Sequence, residues 1–195
     1  MARPVKFDTD QLLDKAMRLF WRQGYEATSV QDLVDELNIH PGSLYNTFGD
    51  KRALFLAALD RYAQTDGQYL IGLLQQPGSA KGALEHVLRY SARMLPTAEG
   101  RPGCLMTNSA VELAETDADV ARRVAGYQTL FETALVTVLQ RAQDTGELRP
   151  RSPAETLAQA RFLNGCLQGM RVLAKASSDP ARLQDIAQIA LKALD

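Results

Sequence analysis

Within the eight residues from His40 to Thr47 the chain carries five side chains that can donate or accept a hydrogen bond: His40, Ser43, Tyr45, Asn46 and Thr47. Leu44 and Phe48 stand four apart among them, so on a short helix both face one side. His40, Pro41, Ser43, Tyr45, Asn46 and Thr47 are then left outward. Small and hydrogen-bonding residues on a short helix suit the base edges and phosphates of a DNA major groove about 12 Å wide. Candidates for covalent chemistry are few. The only histidines are His40 and His86, and neither follows a Glu by three, so the Glu-x-x-His pairs of a helical metal-carboxylate oxygenase are missing. No phosphate loop, Gly-x-Ser-x-Gly or His-Glu-x-x-His occurs either. The residues therefore imply recognition rather than catalysis, with no metal and no cofactor.

The elements that position these residues read as helices throughout. From Asp8 to about Gly24, Leu12, Leu13, Ala16, Met17, Leu19 and Phe20 recur at helical spacing, and Gly24 is a natural stop. Thr28 or Ser29 can cap a second helix, in which Val30, Leu33, Val34 and Leu37 follow i, i+3, i+4, i+7. Asn38 tolerates the left-handed backbone of a tight turn, Ile39 plugs that turn, and Pro41 suits the first turn of a third helix. Two short helices at such a turn form a helix-turn-helix over about residues 29–48. Asp50 caps a long fourth helix expected to reach about Gln75. Pro/Gly breaks near 76–79, 96–103 and 150–153 then divide helices at about 80–95, 104–114, 117–144, 154–175 and 180–194. No segment alternates with period two. The expected fold is all-α with about nine helices: an N-terminal three-helix unit over residues 1–52 and a larger helical domain over 53–195.

Composition sets the frame without pointing to DNA. The 195 residues are 46% hydrophobic and 23% charged, with a net charge of −1, the balance of a soluble globular chain. Residues 1–60 hold seven Lys/Arg against nine Asp/Glu, so any grip on phosphate depends on placement rather than bulk charge. The first residues lack an apolar signal core, no apolar run nears the ~18 residues that cross a bilayer, and two cysteines are too few for a disulfide framework. These features point to the cytoplasm and to no membrane.

The block from Thr28 to Phe55, TSVQDLVDELNIHPGSLYNTFGDKRALF, resembles the DNA-binding signature of TetR-type repressors. That family opens its second helix with Thr/Ser, reads roughly G-[ST]-L-Y-x-x-F along its third, and places a Lys just beyond. The resemblance implies a transcriptional regulator, not an enzyme: a homodimer on a pseudo-palindromic double-stranded operator, released by a small-molecule or electrophile effector. It implies phosphate contacts at Thr28, Ser29, Tyr45 and Lys51, with base reading from Ser43, Asn46 and Thr47. Asn38, His40 and Pro41 depart from the family's usual Gly, Ser and Lys. The cation lost at position 41 leaves Arg3 and Lys6 of the N-terminal arm as possible compensation.

In that family the C-terminal half encloses an effector pocket, for which Met94, Cys104, Asn108, Tyr127 and Phe131 are the candidates. The run Arg101-Pro-Gly-Cys-Leu resembles a NemR-like subgroup carrying a Gly-Cys-Leu motif, in some members of which that cysteine senses electrophiles or oxidants. Cys104 is expected in the first turn of a helix beside Arg101, where dipole and cation favour a thiolate. The alternative is that Cys104 is plain packing. The family's dimer surface lies on its last two helices. Here Phe162, Gly165 and Gly169 share a face on which mid-helix glycines permit close approach, and Leu183, Ile186 and Ala190 are the candidates on the last helix. Two other readings share the all-α pattern: a helical dimer that binds no DNA, and a helical-bundle enzyme.

Overall fold

A computed structural model describes residues 8–177 and 179–194. Among them lie ten α-helices: α1 (Thr9–Gln23), α2 (Val30–Leu37), α3 (Pro41–Phe48), α4 (Lys51–Gln64), α5 (Tyr69–Leu74), α6 (Ala80–Met94), α7 (Leu105–Leu113), α8 (Ala118–Asp144), α9 (Pro153–Ala176) and α10 (Pro180–Lys192). The all-α expectation holds. Arg3 and Lys6 lie outside the described residues.

Side-chain caps start most helices where the sequence placed them. Ser29, not Thr28, caps α2, in a capping box with Asp32; Ser152 and Glu155 do the same for α9, each pair satisfying N–H groups that a helix start leaves free. Asp8, Asp50, Ser79, Asp117 and Asp179 cap α1, α4, α6, α8 and α10 through their side chains. Asn38 ends α2 in the left-handed region at φ 52°, as its turn role requires.

The long fourth helix expected from Asp50 to Gln75 is broken. α4 stops at Gln64, a short 3-10 turn spans Asp66–Gln68, and α5 begins at Tyr69. The break is a packing event. Gly67 is buried, and a Cβ there would lie 2.8 Å from the Tyr62 carbonyl oxygen and 2.9 Å from the Tyr127 ring. The Tyr127 hydroxyl donates to the Gly67 carbonyl at 2.9 Å. Only a residue without a side chain fits under Tyr127, and the chain gives up helical geometry to make that contact.

Two apolar clusters fill the interior. One gathers α1–α4 around Phe20, Leu33, Leu44 and Phe55, and it also takes in Cys104, Leu105, Met106, Val120 and Tyr127. The other joins α5, α6, α9 and α10 to the second half of α8. The 27-residue α8, about 40 Å long at 1.5 Å per residue, belongs to both. The helix-turn-helix head therefore has no separate core; it shares one with the start of α7 and α8. Among the described residues no helix is long and apolar enough to cross a membrane.

Candidate nucleic-acid interface and adjoining chamber

The head presents the short α3 outward. Leu44 is fully buried and Ile39 nearly so, which anchors one side of α3 and turns Pro41, Tyr45, Asn46 and Thr47 to the exterior; Tyr45 is 48% exposed. His40, in extended conformation, occupies the N-cap without a side-chain hydrogen bond, and Pro41 takes the first helical position, where its missing N–H costs nothing. Ser43 is half-buried rather than open.

Thr28 does not stand where a phosphate contact would need it. Its side chain is buried and its hydroxyl donates to the Gly24 carbonyl at 2.6 Å, closing the α1–α2 turn. A hydroxyl there satisfies a turn carbonyl that burial would otherwise leave unpaired. Ser29 is exposed, but its hydroxyl is engaged with Asp32 at 2.7 Å. The Ser29 hydrogen bonds hold the Asp32 carboxyl below its ordinary value. The anion at the start of α2 is thus the chain's own carboxylate.

Lys51, the first residue of α4, sits with its ammonium 4.3 Å from the centre of the Tyr25 ring. A cation over an aromatic face is held in place while its N–H groups stay free to donate. Tyr25 is itself fixed, with its ring 4.8 Å from that of Phe55 and 6.3 Å from that of Phe20. Arg52, next in sequence, is spent inside the molecule. Its guanidinium forks onto Asp117 at 2.7 and 2.8 Å and reaches Asp119 at 2.7 Å. These bonds pull the Asp117 carboxyl down to about 2. Lys51, unlike Arg52, keeps its ammonium on the Tyr25 ring at the start of α4, and Tyr25 is a site residue that sequence reading missed, because its role depends on a ring stack between distant segments.

Behind the head lies a chamber of about 210 Å³ lined by Tyr62, Tyr69, Tyr90, Met94, Tyr127 and Arg171, among others. A wider cleft of about 800 Å³ adjoins it and shares Trp21, Asp66, Tyr69 and Tyr90. Met94 and Tyr127 line the chamber as expected. Phe131 does not: one turn beyond Tyr127 on α8, it is 1% exposed within the second core. Asn108 also turns away. Its amide donates to the Pro102 carbonyl at 3.0 Å, and it lines a separate groove with Glu112 and Lys175.

Cys104 is the N-cap residue of α7 rather than part of its first turn, and it is fully buried. The cation that faces it is Arg171 of α9, not Arg101, which is exposed. Burial pushes the thiol up, but the Arg171 charge and hydrogen bonds with Tyr62 and Thr107 outweigh it, and the thiol lies below its ordinary value. Cys166 is half-buried, and burial raises its thiol. Arg171 could not have been read from the sequence, since it lies 67 positions from Cys104. It is 7% exposed and donates to the Gln168 side-chain oxygen at 3.0 Å. Among the described residues no carboxylate lies within ion-pair distance of it, a costly arrangement for a buried charge.

On the far side, α9 exposes a stripe of Phe162, Gly165, Gly169 and Val172, with Phe162 47% and Val172 51% exposed. A Cβ at Gly165 or Gly169 would meet nothing within 4 Å, so the stripe is bare in the protomer. On α10, Leu183 and Ala190 are each 1% exposed and pack inward on the second core. They are not surface residues: they lie in the core that α10 shares with α6 and α9. Ile186 is half-buried, and Ile189, at 60% exposed, is the apolar residue that faces out.

Comparison with known proteins agrees with this geometry. Residues 12–58 match the pattern described as bacterial regulatory proteins, tetR family, and residues 81–190 match the tetracyclin repressor-like C-terminal domain. The HTH-type transcriptional regulator YezE of Bacillus subtilis is 36% identical over 195 residues, covering all of both chains. The HTH-type transcriptional repressor ComR of Escherichia coli is 34% identical over 97% of this chain and 90% of its own. Among solved structures, a cysteine variant of the TetR family regulator CifR, complexed with 26-bp double-strand operator DNA, superposes with a TM-score of 0.86. It is 29% identical and covers 99% of this chain and 100% of its own. The three-helix head, the adjoining chamber and these matches over the full length agree: the chain belongs to the tetR family of bacterial regulatory proteins, and is a DNA-binding transcriptional regulator rather than an enzyme.

Proposed function

We propose that this protein is a cytoplasmic repressor that binds a pseudo-palindromic operator as a homodimer and leaves it when its chamber is occupied or Cys104 is modified. The head, residues 1–52, would read DNA, and residues 53–195 would bind the effector and dimerise, with α4 shared between them. The observation that carries the reading is the exposed polar face of α3, anchored by the buried Leu44, with the ring-held Lys51 directly after it. Tyr45 and Lys51 are assigned to phosphate; Asn46 and Thr47, with the half-buried Ser43, to bases. Ser29 can join them if its hydroxyl leaves Asp32. His40 and Pro41 shape the entry of α3, and the Thr28 side chain supports the turn from inside.

A titration of the DNA upstream of its own gene, followed by fluorescence anisotropy at several salt concentrations, tests this. Lys51→Ala should weaken binding to every sequence and reduce the salt slope by about one. Asn46→Ala should instead change base preference, with about 1–3 kcal/mol of discrimination lost at one position. A preference shift from Lys51→Ala with an unchanged salt slope would overturn the assignment. For the covalent route, Cys104, fully buried in this structure, is reached on local opening of the fold: iodoacetamide should then label it and release DNA from the wild type but not from Cys104→Ser. Equal release from both proteins would leave reversible occupation of the chamber as the mechanism.

A further inference from the structure

We propose that Glu112, at the far end of α7 from Cys104, is a positioning residue that sets where Lys51 stands and so links the chamber to the grip on DNA. This rests on the phosphate role assigned to Lys51. Glu112 lies on the helix after the chamber, yet its carboxylate reaches into the DNA-binding head. One oxygen accepts from the Tyr25 backbone N–H at 3.1 Å and the other from the Glu26 backbone N–H at 2.8 Å. A carboxylate that accepts two backbone N–H groups makes charge-assisted bonds, stronger than neutral ones.

The turn is built around that carboxylate. Gly24 has φ +87°, and a Cβ there would stand 3.0 Å from each Glu112 oxygen. A side chain at position 24 would be strained by the backbone and would press on the clasp. Tyr25, whose N–H is held, is the residue whose ring carries the Lys51 ammonium. Glu112 is therefore two contacts from the cation assigned to phosphate.

The other flank of Lys51 is tied to the same stretch of chain. Arg52 is bound by Asp117 and Asp119, five and seven residues beyond Glu112. The segment 112–119 holds the α1–α2 turn on one side of Lys51 and the next residue of α4 on the other. At its opposite end α7 starts from Cys104, in the group that includes Tyr62 and Arg171. A nine-residue helix is a stiff rod of about 13 Å. A shift of α7 at its Cys104 end, where it meets Tyr62 and Arg171 of the chamber wall, is thereby delivered to the turn that supports Lys51. The coupling is a change in the place of one cation, and it needs no rearrangement within α3.

A double-mutant cycle on the full-length protein tests the link. Glu112→Gln keeps size and shape but presents an amide NH₂ to one of the two backbone N–H groups, so half of the clasp becomes donor against donor. Glu115→Gln, on the exposed neighbour three residues on, controls for the loss of one negative charge. Operator affinity and its salt slope are measured for wild type, Glu112→Gln, Glu115→Gln, Lys51→Ala and Glu112→Gln/Lys51→Ala, with thermal melts to confirm folding. Glu112→Gln should bind about fivefold or more weaker than Glu115→Gln, and Lys51→Ala should then cost far less than in wild type, as for residues acting through one network. Lys51→Ala costing the same in both backgrounds, and lowering the slope in both, would overturn the link alone. A slope that Lys51→Ala leaves unchanged in wild type would overturn the phosphate assignment and the link with it.

Discussion

Arg52 shows how one residue's neighbours reverse its apparent role. Beside Lys51 at the start of α4, its charge invites a phosphate assignment, yet its guanidinium is committed to Asp117 and Asp119. The Asp117 carboxyl is pulled to about 2 by that contact. A carboxylate with a depressed folded-state value stabilises the fold above its ordinary titration near 4, and that contribution is lost as pH falls toward 2. Asp117→Asn should therefore be less stable than wild type at neutral pH. Its stability should also fall less between pH 5 and 2, since the variant has no proton to take up at that position. Urea melts across this range check the outcome; parallel curves for the two proteins would show that the Arg52–Asp117 contact contributes no pH dependence. Both side chains retain solvent contact, and screening keeps such pairs small, so the direction of the effect is the firm expectation.

At the scale of elements, the break between α4 and α5 separates helix propensity from packing. From Lys51 to Gln75 the apolar spacing and the lack of proline favour one helix. Only Gly67 and Gly72 depart, a glycine costs only about 1 kcal/mol in a helix, and Gly72 sits inside α5 without breaking it. What ends α4 is the Tyr127 ring and hydroxyl, 60 residues away. Gly67→Ala restores helix propensity and so should stabilise a continuous helix. In this fold it should destabilise, because the added methyl would lie 2.8 Å from a backbone carbonyl that cannot move aside. The expected cost is about 1–3 kcal/mol by chemical denaturation, the usual range for overpacking. A stability equal to or above wild type would mean that the break is not held by this contact. The same substitution should change ligand access, since Gly67 and Tyr127 both border the chamber.

At the scale of the whole molecule, the bare stripe on α9 and the buried face of α10 bear on the proposed dimer. Phe162, Gly165, Gly169 and Val172 are uncovered in the protomer, whereas Leu183 and Ala190 hold α10 on its own core. Gly169→Leu should leave the protomer folded, because a Cβ there meets nothing. It should block close approach of a second copy and shift sedimentation toward the monomer. Leu183→Ala should do the reverse, costing about 2–5 kcal/mol of stability as a core truncation while leaving the interface chemistry intact. An undisturbed dimer in Gly169→Leu would remove the α9 stripe from the interface.

What the sequence by itself determined was everything local in cause. Helical spacing located the elements, and Ser29 and Asp50 marked the starts of α2 and α4, because a cap acts on N–H groups two or three residues away. The helix-turn-helix was legible for the same reason: Asn38, Ile39, Pro41 and Leu44 build it within a few residues of one another. Half-legible were the surfaces. Periodicity shows that α10 is apolar on more than one side, but which side is covered depends on where α6 and α9 lie; Leu183 and Ala190 were misplaced on that account. The tertiary structure alone decided the contacts that cross the chain. It put Arg171 rather than Arg101 opposite Cys104, turned Thr28 inward, and moved Asn108 and Phe131 off the chamber. It also brought Glu112 to the backbone of Tyr25 and Glu26. Each of these depends on how helices far apart in sequence pack together, and side-chain chemistry carries no record of that in the linear order of residues.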